Sequence, residues 1–213
     1  MLILPGSSAL SAFRTKRLLS QLQEDDANVT GITARYLHFI DAGAPLAQID
    51  IDRLTALLVY GEPYDADAPA AGESFVTVPR FGTISPWASK ATDIAHNCGM
   101  AHVHRIERGV AYTVQLKTGL LGGTRKLTDA SIAAIAAVLH DRMTETVLRR
   151  AEDAHALFDT LDAQPLASID ILTGGKAALQ AANTELGLAL SDDEIDYLHT
   201  ALRGPSVIRP MSS

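Results

Sequence analysis

The pattern of hydrophobic and polar positions in residues 1–62 predicts two strands and two helices. Runs rich in β-branched and aromatic residues indicate strands, whereas apolar residues spaced by three and four positions indicate helices. Ser8 or Ser11 can cap the first helix, and Gly61 can end the second. In chain order, we predict a strand at 1–5, a helix to about residue 23, a strand at 29–40 and a helix at 45–60.

Residues 73–160 repeat the same order of elements. Ser85 can cap a helix that begins with a proline, where proline is favoured, and Gly99 can end it. Thr128 or Asp129 can begin a longer helix, along which apolar residues recur at helical spacing. The predicted elements are a strand at 74–78, a helix from 86, a strand at 103–116 and a helix from 128 to about 161.

Together these elements predict an α+β fold, in which duplicated strand-helix-strand-helix halves form one sheet with helices packed on it. Pro165 would break the long helix. Two glycines precede a further helix, and Ser191 with Glu194 forms a capping box for the last one. We therefore expect three segments: an N-terminal domain at 1–160, a short helical linker at 161–203 and a tail at 204–213.

Composition narrows the class of protein. The 213 residues include 47% apolar and 20% charged residues, which is an ordinary globular mixture. The formal net charge of −7 argues against a nucleic-acid partner, which requires clustered cations. The single cysteine, Cys98, excludes an intramolecular disulfide and suits a reducing compartment. No apolar run approaches the ~20 residues of a membrane span, and the N-terminus lacks the features of a secretion signal, so we expect a cytoplasmic protein without a membrane partner.

Polar side chains concentrate between Arg80 and Gly99. One face of the helix in this segment is apolar and is expected to face the core: Trp87, Ala91, Ile94 and Cys98. We predict that a second set contacts a substrate or a neighbouring domain, and we call it the polar wall: Arg80, Thr83, Ser85, Trp87, Ser89, Lys90, Asp93, His96 and Asn97. Its arginine and lysine side chains can meet phosphate or carboxylate groups. The alternative is a solvated helix face, since polar helix faces are common.

We assign no catalytic or metal-binding residue from the sequence. One sulfur without a second pair of ligands does not suit a zinc site, although four candidate ligands lie close in sequence: His96, Cys98, His102 and His104. Ser89, Asp93 and His96 suggest a hydrolytic triad, but they lack a nucleophile elbow. Cys98 is expected to be a small buried residue. The run Thr173 to Lys176 lacks the first glycine of a phosphate loop and is interpreted as a turn.

Three stretches together resemble one enzyme family: Thr83–Trp87, Ser89–Gly99 and Arg105–Tyr112. They are similar to the N-terminal part of the large single-chain phosphoribosylformylglycinamidine synthase (FGAM synthase), the formylglycinamide ribonucleotide amidotransferase of purine biosynthesis. The resemblance extends to about residue 202 through four further stretches: Pro5–Arg14, His140–Val147, Leu186–Leu190 and Asp193–Leu198. Phe81 and Ala88 are mild departures, at positions where proline and serine are common in the family.

The resemblance implies a fragment of an enzyme that converts formylglycinamide ribonucleotide, ATP, glutamine and water into FGAM, ADP, phosphate and glutamate. The first domain would be similar to a fused dimer of the small separate subunit found in multi-subunit versions. The synthetase core and the glutaminase would be its partners and would carry the catalytic residues, the ATP and the Mg²⁺, so the fragment has no cofactor of its own. We therefore expect a non-catalytic domain that organises the synthetase core and the ammonia route, with self-association through its exposed docking face.

Without the family resemblance, the residues allow two other classes of function. One is a stand-alone module that binds a small metabolite between paired α+β halves. The other is a small metal enzyme that uses His96, His102 and His104.

The last residues depart from the family pattern. The family continues past the linker with Arg-Asn-Pro-Thr-Asp-Val-Glu-Leu-Met, whereas this chain ends in Val207 to Ser213. Codons for the family run, read one base later, encode the observed seven residues followed by a stop. We therefore expect a frameshift between Arg203 and Ser206, which makes 204–213 an aberrant tail and the chain a truncated fragment; the template DNA tests this.

Overall fold

The computed structural model describes residues 1–65, 71–117, 127–159 and 168–203. By its internal contacts the chain divides into two compact units, Met1–Leu161 and Asp162–Ser213. The expected tail at 204–213 lies outside the described residues, and its frameshift origin stays a prediction. Among the described helices, none combines the length and apolar character that crossing a bilayer requires.

A five-stranded antiparallel sheet forms the centre of the first unit, with strand order β1-β2-β4-β3-β5. The strands are β1 (Leu2–Ser8), β2 (Val29–Ala42), β3 (Glu73–Pro79), β4 (Val103–Leu116) and β5 (Glu145–Leu148). β2 and β4 are the longest and pair along their whole length, from Val29 opposite Leu116 to Ala42 opposite Val103. This central pair holds together the two halves of the first unit.

In the described residues of this unit, four α-helices and one 3-10 helix accompany the sheet: α1 (Ala12–Asp25), α2 (Gln48–Leu57), α3 (Pro86–Asn97), α4 (Asp129–Leu139) and the 3-10 helix Ala151–Phe158. Three predicted N-caps are confirmed, because the side chains of Ser11, Ser85 and Thr128 each accept a backbone N–H of the first turn. The order strand, helix, strand, helix therefore occurs twice up to Leu139. Descent of the halves from a fused dimer stays a prediction.

The α-helices cover one face of the sheet through two apolar clusters. The cluster beneath α2 and α3 includes Ile40, Leu54, Ala95, Met100 and Ile106. The cluster beneath α1 and α4 includes Leu22, Ile32, Phe75, Val114 and Ile135. The 3-10 helix packs on the other face, where a third cluster includes Phe39, Val76, Val78, Ala154 and Leu157. The predicted α+β class, one sheet with helices packed on it, is confirmed.

The predicted long helix from 128 to about 161 is wrong beyond Leu139. The carbonyl of Asp141 accepts the N–H groups of Thr144 and Glu145, and the Asp141 carboxylate accepts the N–H of Met143, at 3.2, 2.8 and 2.8 Å respectively. This turn leads into β5, which pairs with the free edge of β3 and satisfies its backbone groups. The apolar stripe that suggested one helix is therefore divided among a helix, a strand and a 3-10 helix.

Ile94 and Cys98 were predicted to face the core, but both are exposed, as is Leu57 on α2. Helix α3 instead packs on the sheet through Ala88 and Ala95, both fully buried. Such small side chains allow a close approach between helix and sheet, and they rotate the larger Ile94 and Cys98 towards solvent. The interpretation of Cys98 as a buried hydrophobic residue is wrong for this reason.

The second unit is described over 168–203 and contains α5 (Ile171–Leu186) and α6 (Asp192–Arg203). Gly175, at φ 60° and ψ −151°, interrupts α5, so its regular part begins at Lys176 as predicted. The capping box before α6 is confirmed. The Ser191 N–H donates to the Glu194 carboxylate at 2.8 Å, and the Glu194 N–H donates to Ser191 Oγ at 3.3 Å.

Candidate functional site

The polar wall is divided between two cavities and an exposed helix face. Four of its residues, Arg80, Thr83, Ser85 and Trp87, line a cavity of about 420 Å³ at the N-terminus of α3. We call this the arginine cavity, and its polar lining residues are Arg80, Thr83, Ser85, Arg108, Thr144 and Glu145. Arg108 and Glu145 lie outside the predicted polar wall.

The loop between β3 and α3 forms one wall of the arginine cavity. The Arg80 N–H donates to the Thr144 carbonyl at 2.9 Å, which ties the loop to the turn before β5. The Arg80 carbonyl accepts the Thr83 N–H at 3.2 Å and the Thr83 hydroxyl at 2.6 Å. Gly82, at φ 77°, supplies the left-handed conformation that this tight turn requires. The chain therefore reaches Ser85 in position to begin α3.

A buried carboxylate, Glu107, anchors the first turn of α3 to β4. Ser85 donates its N–H to Glu107 Oε1 at 3.2 Å and its hydroxyl to Glu107 Oε2 at 2.7 Å, while Ser85 Oγ accepts the Ala88 N–H at 3.0 Å. Arg105 Nε lies 3.3 Å from Glu107 Oε1. Burial raises the pKa of Glu107, although the Ser85 hydrogen bonds and the charge of Arg105 oppose that shift. The helix start is thus fixed by charge-assisted hydrogen bonds in a dry environment.

Arg108 lies within a cluster of aromatic rings on the helix-covered face of the sheet. Its guanidinium carbon is 4.5 Å from the ring centre of Tyr36, 4.9 Å from that of Trp87 and 5.8 Å from that of Tyr60. His38, directly opposite Arg108 across the β2–β4 pair, stacks on Trp87 with ring centres 5.7 Å apart. We call Tyr36, His38, Tyr60 and Trp87 the aromatic cluster. Cation–π contacts of this kind position an arginine without neutralising it.

Burial controls the ionisation of the aromatic cluster. His38 is fully buried, and its Nε2 lies 2.7 Å from the Tyr60 hydroxyl oxygen. Burial lowers the pKa of His38 to about 4; a hydrogen bond with the backbone of Leu4 opposes the shift, and the charge of Arg108 adds to it. Burial likewise raises the pKa of Tyr60. His38 and Tyr60 are therefore both uncharged at neutral pH.

A second, smaller cavity of about 170 Å³ lies between α2 and α3. We call it the α2–α3 groove, and its principal lining residues are Leu54, Leu57, Tyr60, Trp87, Lys90 and Ile94. Leu57 and Ile94 expose 40% and 51% of their surface. Trp87 lines both cavities, and Lys90 is the polar-wall residue that borders only this one. The exposed positions of Leu57 and Ile94 thus create an accessible apolar surface.

The other polar-wall residues, Ser89, Asp93, His96 and Asn97, are exposed on α3 and line neither cavity. His96 donates from Nε2 to the Val103 carbonyl at 2.6 Å, so its ring is turned towards β4. The structure therefore does not assemble a triad from Ser89, Asp93 and His96. The role of the polar wall as a whole stays a prediction.

The other two histidines considered as metal ligands each lie beside a different carboxylate. His102 Nε2 lies 3.2 Å from Asp50 Oδ2, and His104 Nδ1 lies 3.5 Å from Asp41 Oδ2. Over residues 1–65, 71–117, 127–159 and 168–203, no group of three histidine, cysteine, aspartate or glutamate side chains could hold a metal ion. These two histidines therefore lie beside different carboxylates and not in one cluster.

Sequence reasoning missed Arg108, His38 and Tyr36, which complete the site around Trp87. The sequence did contain a signal for Tyr36 and His38, because they are two positions apart on a predicted strand and so share a face. Arg108 could be placed beside them only from the strand register, which pairs it with His38. That register is a property of the folded sheet.

The first unit is an α+β domain, and the arginine cavity lies at the start of its helix α3. Residues 35–158 match the family described as formylglycinamide ribonucleotide amidotransferase N-terminal. The match covers more than half of the chain and includes the arginine cavity and most of the sheet. The chain belongs to this family, which confirms the resemblance to the N-terminal domain of FGAM synthase and places the chain in purine biosynthesis.

Proposed function

We propose that this chain is a non-catalytic docking domain of FGAM synthase. In the whole enzyme it would organise the synthetase core and help to enclose the ammonia route from the glutaminase, while ATP and Mg²⁺ act on the core. The family match supports the link to the amidotransferase. The observation that carries the docking role is the α2–α3 groove, an accessible apolar surface beside the polar wall.

The exposed side chains of the groove are suited to a protein contact. Leu57 and Ile94 would each bury further apolar surface in a complex, and complete burial of such a side chain is worth about 1.5–3 kcal/mol. Lys90 at the rim adds a charge that can select an acidic partner group. An apolar surface with a polar rim is typical of interaction sites. The same surface would support self-association when the partner domains are absent.

The packed side chains around Trp87 could serve the ammonia route by excluding water from it. A tunnel that carries a neutral, reactive intermediate must exclude water. Rings and apolar side chains around Trp87 present a dry surface that could close one side of such a tunnel. Lys90→Ala and His96→Ala in the full-length enzyme test this part: we expect glutamine hydrolysis to become less tightly coupled to FGAM formation. Unchanged coupling in both variants would remove the ammonia-route role.

The principal test is glutamine-dependent FGAM formation. We would assay this chain alone and then mixed with a separately expressed protein that contains the synthetase and glutaminase domains. The proposal predicts no turnover by the chain alone and restored turnover in the mixture. Turnover by the chain alone would instead mean that the arginine cavity or the polar wall is an active site.

A matched pair of substitutions tests the groove itself. Ile94 borders the groove, whereas Ile49 on α2 does not, and the two are similarly exposed at 51% and 59%. We expect Ile94→Asp to raise the concentration needed for rescue about tenfold, equivalent to about 1.4 kcal/mol, and Ile49→Asp to leave it unchanged. Equal rescue by the two variants would show that docking uses another surface.

A second candidate function, a stand-alone module for a small metabolite, is favoured by the arginine cavity. Its volume of about 420 Å³ lies within the range of small-molecule sites. Such a module would show a ligand-induced rise in melting temperature with no other chain present.

A further inference from the structure

Two arginines on the arginine cavity have charges that the described structure does not neutralise. Arg80 and Arg108 both line the cavity, and neither takes part in a salt bridge with a carboxylate anywhere in the described part of the chain. The neighbouring Arg105 differs, because it pairs with the buried Glu107. Since an unpaired arginine beside a cavity attracts an anion, this pair indicates a binding site.

The contacts of Arg108 leave most of its donors available. The faces of the guanidinium lie against the aromatic cluster, which uses the π surface and not the N–H groups. One nitrogen, Nη1, lies 3.4 Å from the Tyr60 hydroxyl oxygen and donates to it. A guanidinium carries five N–H donors, so Arg108 can still offer a two-pronged edge to a ligand.

The charges around the cavity favour an anion. Glu145 is the carboxylate that lines the cavity, and its Oε2 already accepts the Asp141 N–H at 2.9 Å. Glu107 lies behind Ser85 and is engaged by Ser85 and Arg105. With two arginines against one cavity carboxylate, the formal excess is one positive charge. The N-terminus of α3 adds a partial positive charge at the same wall.

We propose that the arginine cavity binds the phosphate group of a small molecule, held by Arg80 and Arg108. A carboxylate offers two oxygens and one negative charge, whereas a phosphate offers more oxygens and a larger negative charge and so suits two guanidinium groups better. Trp87 and Met143 provide an apolar wall for the remainder of the molecule. The inference does not depend on the docking role, because the site lies within this chain alone.

Trp87 makes the test direct, since it is the single tryptophan of the sequence and lines the cavity. We would titrate the chain with inorganic phosphate and record tryptophan fluorescence, with sodium chloride adjusted to hold ionic strength constant. A parallel titration uses acetate as the carboxylate probe. We expect a saturable change with phosphate and no comparable saturation with acetate.

Three variants decide which residues bind. Arg80→Gln removes an exposed charge, and Arg108→Lys keeps the charge but loses the planar edge; each should raise the phosphate Kd at least tenfold. Arg53→Gln is the matched control, because Arg53 is an exposed arginine on α2 outside the cavity lining, and it should leave the Kd unchanged. Urea unfolding checks that each variant folds, and Arg80→Gln decides the question if Arg108→Lys does not.

Three outcomes would overturn the proposal: no saturable change in the wild type, saturation that survives both cavity substitutions, or acetate binding as tight as phosphate binding. None of these bears on rescue of the amidotransferase by this chain. Failure of the phosphate site and failure of the docking role are therefore distinguishable.

Discussion

Acidification should destabilise the first unit through His38. This side chain is fully buried against Trp87 and Tyr60, so the folded state holds the imidazole neutral. Burial lowers its pKa from 6.5 to about 4. In the unfolded chain the same imidazole is free to take up a proton near its ordinary pKa. The free energy of unfolding must therefore fall as protons bind preferentially to the unfolded state.

The sign and size of the effect follow from the two pKa values. Because the folded pKa is depressed, the contribution of His38 to stability is fully present above 6.5 and is lost as the pH falls towards 4. One unit of pKa difference corresponds to about 1.4 kcal/mol. Integration between the two states gives a loss of about 2 kcal/mol at about pH 5 and about 3 kcal/mol at about pH 4. These values are large against the 5–15 kcal/mol, in order of magnitude, that stabilise a whole domain.

Urea unfolding followed by Trp87 fluorescence measures this loss in the unit that contains His38. We would compare wild type, His38→Gln and His155→Gln at about pH 7.5 and about pH 5. His155 is an exposed histidine on the 3-10 helix and serves as the control. We expect the wild type and His155→Gln to lose about 2 kcal/mol more than His38→Gln on acidification.

Glu107 changes the free energy of unfolding with pH in the opposite direction to His38. The test therefore compares the pH effect between variants and not only between two pH values. Its pKa is raised in the folded state, so its contribution to stability is present below its ordinary pKa of 4.5 and declines as the pH rises through the raised value. Glu107 is the same in all three proteins, and its effect cancels in their differences. An equal loss of stability in wild type and His38→Gln would refute the argument that the buried imidazole stays neutral.

Two further substitutions test the packing around the cavity. Ser85→Ala removes two hydrogen bonds, the N-cap bond from the Ala88 N–H and the bond that the hydroxyl donates to the buried Glu107 carboxylate. We expect a loss of about 2–4 kcal/mol in urea unfolding, against less than about 0.5 kcal/mol for the exposed Ser89→Ala. An equal loss of stability in Ser85→Ala and Ser89→Ala would contradict the conclusion that Ser85 and Glu107 anchor the start of α3. Gly109→Ala would place a Cβ 2.6 Å from the Thr77 carbonyl oxygen, and we expect overpacking to cost about 1–3 kcal/mol by the same measurement. An unchanged free energy of unfolding in Gly109→Ala would show that β3 and β4 can separate locally without loss of stability.

Much of the fold could be predicted because local signals agree with it. The bounds of β4 are those predicted, since apolar residues alternate with other residues along its second half and Gly109 does not interrupt the strand. Ser85 begins α3 as predicted because a hydroxyl before a proline satisfies the free N–H groups of the first turn. These features depend on neighbours in sequence.

The helix predicted beyond Leu139 failed because its pattern has two explanations. Apolar residues at helical spacing also arise when a helix, a turn and a strand each contribute a few buried positions. The decisive factor was distant in sequence: β3 has a free edge that β5 completes. Periodicity along one segment carries no information about such an edge.

The candidate site was only partly predictable for the same reason. Ser85 and Trp87 of the predicted polar wall lie together at the arginine cavity, because they belong to one loop and the helix that follows it. Arg108 was not, since it joins them through the register of β4 against β2. One of the two positive charges on the cavity therefore depends on a strand register, which cannot be predicted from local sequence.

The pairing of β2 with β4 also has a consequence for biosynthesis of the chain. When β2 leaves the ribosome, the strand that completes its inner edge has not been translated, because Val103 follows Ala42 only after β3 and α3. The first half of the nascent chain therefore has an unpaired strand edge until β4 has been made. Because such edges invite pairing with other chains, we expect the nascent chain to be prone to aggregation in the interval before Leu116 is made.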